Sequence, residues 1–247
     1  MAVCSVVGAR HASPLRPTMT VDLNCDMGEL EDAQYEAALM EHVTSANIAC
    51  GGHAGAEASM ERTARLAIAR GVRMGAHPGY PDRANFGRIE IPMPAAEIEL
   101  AVRRQIERLD AVVRSLGGRI VHVKPHGALY NVAVRNTEVA RAIAGAVAAW
   151  DPRVTLFGLA GSAMLDVWRE MGLAVAAEAF ADRRYEPDGT LRSRKFTDAL
   201  ITDPREAAAQ ALRFARGGQV QTICVHGDTP GAVDILKACR EALLYQS

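Results

Sequence analysis

The chain has 247 residues, of which 49% are hydrophobic and 23% charged, and its formal net charge is -1. These values are typical of a globular protein that buries a large core without disulfide or metal staples. The near-neutral charge disfavours a nucleic-acid or anionic-membrane partner, because both require a basic face. No apolar run approaches the roughly 20 residues that would span a bilayer.

Cysteine usage and the N-terminal residues bear on the compartment and the domain limits. The cysteines are odd in number and show no CxxC spacing: Cys4, Cys25, Cys50, Cys224 and Cys239. This usage disfavours a disulfide framework or a zinc ribbon, and it predicts a reducing, cytoplasmic location. Residues 1–18 lack the apolar core of a secretory signal. We expect them to be a poorly ordered extension before a single domain spanning 19–247.

From residue 20 onward, short apolar or β-branched runs alternate with longer segments of helical periodicity. The runs predict seven strands, at 20–25, 45–50, 72–76, 120–124, 154–159, 173–178 and 222–226. Several lack the strict alternation of a half-exposed strand, as expected for strands covered on both faces. Asp203-Pro204 and Thr229-Pro230 are predicted to open the last two helices, each with a cap residue followed by proline.

The repeated strand–helix units predict the fold class. Seven units without a composition break favour an α/β fold with one (β/α) barrel-like domain of parallel strands. An open, doubly wound sheet is the competing topology, because seven strands leave the closure of the barrel open.

Unusual polar residues cluster just after the predicted strands, on loops that lead to the next helix. They are Asp22, Asn24, Asp26, Glu29, Asn47, His53, His77, Asp82, Lys124, His126, Glu178, Asp182, Arg183, Tyr185, His226 and Asp228. In parallel α/β folds these loops form one face, and that face carries the active site. A single Asp there is as readily a cap or turn residue. The whole set is better explained by convergence on one cup.

These residue types suit proton and anion chemistry. Histidines titrate near neutrality and can act as general acid and base, and Lys124 can stabilise an oxyanion or a phosphate. Asp22, Asn24 and Asp26 alternate along one strand, so they share a face that could hold a metal or a polar substrate. A buried carboxylate bonded to loop amides would give the same pattern. His122, within a strand, is predicted to be a packing residue.

Eight segments, in chain order, resemble one known family. They are VDLNCDMGE at 21–29, SANIACGGHAG at 45–55, GAHPGYPD at 75–82, FGR at 86–88, VKPHGALYN at 123–131, EAFADRRY at 178–185, DGTLRSR at 188–194 and ICVHGDTPGA at 223–232. This set resembles the LamB/YcsF family. The resemblance implies a barrel akin to the glycoside hydrolase/deacetylase superfamily. It also implies ATP-dependent opening of the 5-oxoproline ring to L-glutamate, together with two further subunits, B and C.

That chemistry assigns expected roles to the polar residues. Catalytic roles are expected for Lys124, His126, His226, Asp26 and Asp182. Substrate binding is expected for Asn24, Asn47, His53, His77, Glu178, Arg183, Tyr185 and Asp228. ATP with Mg²⁺ is the expected cofactor. No tightly bound metal is assigned, although Asp22, Asp26 and the nearby histidines are candidates. The chain has no phosphate-binding loop of the GxxxxGK[ST] type, so the ATP-handling step is expected to need groups from subunits B and C.

The chain departs from the family pattern beside the expected cup. Gly52 stands where the family usually has an aromatic residue, Ala56-Glu57 replace an Asp-Pro pair, and the loop after Glu29 is shorter than usual. These changes bear on substrate fit more than on fold. Two other functions stay open: a metal-dependent deacetylase or amidohydrolase, and a non-catalytic subunit that holds the lactam for its partners.

Overall fold

Seven parallel strands form a closed barrel surrounded by eight helices in the computed structural model, which describes residues 21–244. The strands are β1 Asp22–Met27, β2 Ser45–Ala49, β3 Arg73–His77, β4 Ile120–Val123, β5 Thr155–Leu159, β6 Ala174–Phe180 and β7 Thr222–Val225. The helices are α1 Ala33–Met40, α2 Glu57–Arg70, α3 Ala95–Ser115, α4 Gly127–Arg135, α5 Thr137–Trp150, α6 Ala163–Glu170, α7 Pro204–Arg216 and α8 Ala232–Leu244. The expected extension at 1–18, and residue 20 of the first predicted strand, lie outside the described residues.

The barrel is closed by the first and last strands. β1 pairs in parallel with β2, where Asn24 lies opposite Ser45, and also with β7, where Asn24 lies opposite Cys224. The predicted (β/α) barrel is therefore confirmed, and the open doubly wound sheet is wrong. All seven predicted strands are present, and their described ends agree within two residues.

The helices cover the outside of the barrel with their apolar faces. The sequence of α3 shows how such a face arises, and that of α7 shows how a helix begins. Ile98, Val102 and Ile106 recur along the buried side of α3, as their spacing of four requires. Asp203 caps α7, as predicted, because its side chain accepts hydrogen bonds from the first backbone N–H groups of the helix. None of the helices within 21–244 combines the length and apolar character needed to cross a membrane.

One predicted helix start is wrong. α8 begins at Ala232, not at Thr229-Pro230. Gly231 takes a φ of 76°, which interrupts the helical conformation before Ala232. The Thr229 hydroxyl does not cap the helix; it donates a hydrogen bond to Oδ2 of Asp182 at 2.5 Å. Thr229 therefore donates to Asp182 on the loop after β6, although its sequence position resembles that of a helix cap.

Candidate active site

One cavity of about 820 Å³ opens at the carboxyl ends of the strands, a volume typical of small-molecule sites. Its wall comes from the ends of β1, β3, β4, β5, β6 and β7 and the segments that follow them. The sequence-predicted residues that line it are Asp26, Glu29, His77, Lys124, His126, Arg183, His226 and Asp228. Residues far apart in the chain therefore share one wall.

Lys124 lies at the floor of the cavity between two buried carboxylates. Its Nζ is 2.9 Å from Oδ1 of Asp26 and 3.1 Å from Oε1 of Glu178, and it donates to Sγ of Cys224 at 2.9 Å. Burial alone lowers the pKa of Lys124, but Asp26, Cys224 and Glu178 raise it well above its usual range. Burial raises the pKa of Asp26, but His77 and Lys124 hold it well below its usual range. Lys124 and Asp26 therefore stay charged at neutral pH.

Amide side chains beneath the floor hold these carboxylates in place. Asn24 donates to Oε1 of Glu178 at 3.0 Å, and Asn47 donates to Oδ1 of Asp26 at 2.8 Å. His122 contacts Oδ1 of Asn47 at 2.8 Å within the barrel. Asn24, Asn47 and Glu178 were expected to bind substrate, but they lie inside the barrel and not on the cavity wall. They position the residues that do line the cavity.

Three histidines and Glu29 form a second group. Oε1 of Glu29 is 2.9 Å from Nε2 of His53, 3.3 Å from Nδ1 of His126 and 3.7 Å from Nε2 of His77. The rings of His53 and His126 stack with centroids 3.5 Å apart. Gly87 permits this packing, because a Cβ there would lie 2.7 Å from Cβ of His53. Glu29, His77 and His126 line the cavity, whereas His53 lies behind Glu29.

Burial sets most of the protonation states in this group. It lowers the pKa of His53 to about 2 and holds that of His126 well below its usual range, so both rings are neutral. Burial also lowers the pKa of His77, but the charge and hydrogen bond of Asp26 more than offset this and raise it. Burial raises the pKa of Glu29. Neutral imidazoles beside carboxyl groups suit either proton transfer or cation binding.

Asp182 holds His226 at the cavity wall. Both carboxylate oxygens of Asp182 lie 3.1 Å from Nδ1 of His226, and one also accepts the His226 backbone N–H at 3.1 Å. Burial raises the pKa of Asp182, but His226 and Thr229 lower it below its usual value. Because the carboxylate accepts a hydrogen bond from Nδ1–H, Nε2 of His226 is the ring nitrogen that can accept a proton. This pair therefore suits a general base.

Arg183 is a buried cation without a carboxylate partner in the described part of the chain. It is 5% exposed, one guanidinium nitrogen donates to the Arg192 carbonyl at 2.6 Å, and its Nε has no partner among residues 21–244. Burial, together with the charge of Arg194, lowers the pKa of Arg183 to about 10. An unpaired buried charge costs free energy. An anionic group placed beside Arg183 would offset that cost.

An arginine–aspartate bridge crosses the mouth of the cavity. Asp228 pairs with Arg88 and with Arg194, and the Arg194 contact is 2.8 Å. Burial raises the pKa of Asp228, but Arg194 and His226 lower it to about 2. The bridge joins the loops after β3, β6 and β7, and its two arginines leave the mouth with excess positive charge.

Tyr185 and Asp22, two further sequence-predicted residues, also lie away from the cavity. The Tyr185 hydroxyl accepts the backbone N–H of Phe180 at 2.8 Å and fixes the loop after β6. Asp22, a metal candidate, lies at the amino end of β1 and accepts hydrogen bonds from Ser45 at 2.8 Å and Thr222 at 2.6 Å. Each strand residue rises about 3.3 Å, so four residues separate Asp22 from Asp26 by about 13 Å. Sharing a face of the strand does not bring them to one site.

Residues 21–247 match the LamB/YcsF family. The chain belongs to this family, as the eight segments indicated. It is 50% identical over 240 residues to the A subunit of 5-oxoprolinase from Chloroflexus aggregans, covering 91% of this chain and 95% of the relative. It is 48% identical over 240 residues to the protein of the same name from Chloroflexus aurantiacus, with 91% and 95% covered. The crystal structure of a lactam utilization protein from Thermus thermophilus has a TM-score of 0.83 at 41% identity, covering 91% and 96% of the two chains.

At Gly52, where the chain departs from the LamB/YcsF pattern, the side chain of Gln105 packs against the backbone. A Cβ at Gly52 would lie 2.2 Å from Oε1 of Gln105 and 2.8 Å from the Gly79 carbonyl oxygen. Gln105 bonds to both polar groups of Gly79, accepting its N–H at 3.0 Å and donating to its carbonyl at 2.8 Å. Gln105 therefore occupies the space that a larger residue at position 52 would need.

Three residues of the cavity wall were given no role from sequence, although Glu29 was placed among the polar residues of the cup. Glu29 contacts all three clustered histidines, Tyr130 lies beside Glu178, and Arg194 pairs with Asp228. Each falls within a segment that carries the family resemblance. That position was the available signal, although it does not reveal which side chains they meet.

Proposed function

We propose that this chain opens the ring of 5-oxoproline to give L-glutamate in an ATP-dependent reaction, as the A component of an assembly with subunits B and C. The names of its relatives support the substrate and the assembly. The observation that carries the proposal is the cavity itself. It places an unpaired buried cation, Arg183, in the same wall as a charged lysine and an aspartate-held histidine.

Arg183 is assigned to the substrate carboxylate. A guanidinium can donate two parallel hydrogen bonds to a carboxylate, which fixes the orientation of the ligand as well as its position. The carboxylate of 5-oxoproline would relieve the cost of burying Arg183 without a counter-charge.

Lys124 and His226 are assigned to the reacting amide. Lys124, held between Asp26 and Glu178, directs positive charge at oxygen atoms that gain negative charge during the reaction. His226, oriented by Asp182, takes a proton from water through its free ring nitrogen. His126 was expected to share this proton transfer, but its ring nitrogens contact Phe86, His77 and Glu29. The acid–base role therefore goes mainly to His226.

The chemistry requires activation because a five-membered lactam is a stable amide whose ends are held together. Phosphorylation of the lactam oxygen by ATP would release ADP and the ring N–H proton and give an imidate-like ester. Water then adds to the ring carbon, the carbon–nitrogen bond breaks, and the nitrogen takes up a proton. Hydrolysis of the resulting acyl phosphate by a second water releases phosphate and glutamate. Mg²⁺ would accompany the ATP phosphates, and the ATP-handling groups are assigned to subunits B and C.

Glutamate release from 5-oxoproline tests this function. The chain is assayed alone and with B and C subunits that are active with another A component, each with and without ATP. Turnover only with both ATP and partners is expected, and His226→Gln and Lys124→Met should each lower it at least about 100-fold. Turnover of the isolated chain without ATP would support the amidohydrolase alternative. Retention of full turnover by both variants would support the lactam-holding role instead.

A further inference from the structure

The group formed by Glu29, His77 and His126 contains electron-pair donor atoms that face one another. Nε2 of His77 lies 3.0 Å from Nδ1 of His126. Nδ1 of His126 lies 3.3 Å from Oε1 of Glu29, and Nε2 of His77 lies 3.7 Å from the same oxygen. These three atoms form a compact triangle on the cavity wall.

Backbone carbonyls determine which ring nitrogens carry hydrogen. Nε2 of His126 lies 2.9 Å from the Phe86 carbonyl oxygen, and Nδ1 of His77 lies 2.7 Å from the Lys124 carbonyl oxygen. A carbonyl only accepts, so each ring directs one N–H outward and turns its other nitrogen into the triangle. Nε2 of His77 also lies 3.4 Å from Oδ2 of Asp26, which favours a proton on this nitrogen, so binding of an ion would release that proton. Histidines that bind metals are oriented in the same way, by donating the other N–H to a backbone carbonyl or a carboxylate. Phe86 itself takes a φ of 55°, uncommon for a residue other than glycine.

We propose that Glu29, His77 and His126 bind one divalent transition-metal ion of the zinc type, with an open coordination position facing the cavity. Ligand atoms about 2.1 Å from a tetrahedral ion lie about 3.4 Å apart. The sides of the triangle, 3.0, 3.3 and 3.7 Å, bracket that distance. Two imidazoles, one carboxylate and an open position are a donor set used by catalytic zinc sites. Binding of the ion at these three residues requires neither substrate nor ATP.

His53 is a positioning residue for this site. Its Nε2 lies 2.9 Å from Oε1 of Glu29, and it does not line the cavity. Its ring stacks on that of His126 with only 4° between the planes, so the two rings cannot both point lone pairs at one ion. His53 therefore donates to Glu29 and orients the carboxylate toward the other two ligands.

A second group of ligand atoms is less suited to a metal. Asp26, Cys224 and His226 also lie within reach of one another. The ammonium group of Lys124 already contacts Oδ1 of Asp26 at 2.9 Å and Sγ of Cys224 at 2.9 Å. A second cation beside it would be repelled, because like charges in a buried site interact strongly. The triangle contains no such resident cation.

Zn²⁺ binding to the metal-stripped full chain, without a polyhistidine tag, tests the proposal. We expect one Zn²⁺ per chain by calorimetric titration, and a higher melting temperature with Zn²⁺. Glu29→Gln and His126→Gln should each weaken binding more than about 100-fold, and His53→Gln by about 10- to 100-fold, as for a residue that orients a ligand. His42→Gln, a change outside the cluster, should bind like the parent. Circular dichroism checks the fold of each variant, and Glu29→Gln carries the test if His126→Gln does not fold.

Each of three results would contradict the assignment of a metal ion to Glu29, His77 and His126. The first is no stoichiometric binding, which would leave a shared proton as the occupant of the triangle. The second is unchanged affinity in folded Glu29→Gln. The third is loss of binding in His226→Gln with full binding in Glu29→Gln, which would place the ion in the second group. Because none of these measurements uses substrate, they stand apart from a failure of the glutamate-release assay.

Discussion

The two ends of the barrel carry similar polar residues but differ in how completely those residues are paired. At the amino end, Asp22 accepts hydrogen bonds from Thr44, Ser45 and Thr222 and pairs with Arg73 at 2.5 Å. Both carboxylate oxygens have partners. Ser45 lies in β2, with Thr44 just before it, while Thr222 lies in β7 and Arg73 in β3. This carboxylate joins four neighbouring segments, which is a structural role.

At the carboxyl end, polar groups remain without partners among the described residues. Within residues 21–244, Arg183 makes no salt bridge and its Nε is unpaired, and in the proposed ion site Glu29, His77 and His126 turn electron-pair donor atoms toward one another. Buried polar groups in folded proteins are nearly always paired, so each exception requires an explanation. A ligand explains these exceptions. The state of pairing, more than residue type, therefore separates the functional end of this barrel from the structural end.

The largest effect is expected from Lys124→Met. The change would leave Asp26 and Glu178 as buried carboxylates without their shared cation. Breaking such a buried pair costs about 3–5 kcal/mol of stability, and losing the charge at the reacting oxygen lowers turnover about 10²- to 10³-fold. Urea unfolding and glutamate release measure the two effects. Lys237→Met, on the exposed face of α8, is the control and should stay within about 0.5 kcal/mol of the parent. Equal stability of the two variants would contradict the structural assignment.

Arg183→Leu should separate binding from stability. Hydrogen bonds to a charged group contribute about 1.5–3 kcal/mol, so KM for 5-oxoproline should rise about 10- to 150-fold. Stability should fall by less than about 1.5 kcal/mol, because only the bond to the Arg192 carbonyl is lost. Arg184→Leu is the matched control, since the adjacent arginine is exposed and pairs with Glu206 at 2.9 Å. If both variants raised KM equally, Arg183 would not be the anion site.

Sequence predicted the parts of this molecule that depend on local pattern. The strands and the start of α7 follow from apolar runs and from Asp203-Pro204, which act within a few residues. The placement of Lys124 and His226 on one wall follows from the rule that parallel strands end together. Thr229 shows the limit of such reasoning, because its hydroxyl bonds to a residue 47 positions away. Pairing of this kind is set by tertiary structure, so the central place of Glu29 was not predictable from pattern.

Gly52→Ala probes how tightly the loop after β2 packs against Gln105 of α3. The new Cβ would meet Gln105 and the Gly79 carbonyl, so the Gly79 peptide must shift. Overpacking of a dense interior costs about 1–3 kcal/mol. The double variant Gly52→Ala/Gln105→Ala should recover part of this loss, because removing the Gln105 amide removes the shorter of the two contacts. Thermal or urea unfolding of the parent, the two single variants and the double variant measures the coupling. Additive losses would show that Gln105 does not fill the space beside Gly52.

The smallest effect is expected at the amino end, from Asp22→Asn. The amide keeps one acceptor oxygen, and the neighbouring hydroxyls can rotate to accept from its NH₂ group. The main loss is the ion pair with Arg73. Because the Arg73 side chain is 57% exposed, this loss lowers stability by about 1 kcal/mol or less. Turnover should be unchanged, whereas Asp26→Asn on the same strand should lower it about 10²-fold or more. Equal losses of turnover in the two variants would mean that the ends of the barrel are coupled, and that pairing does not identify the functional end.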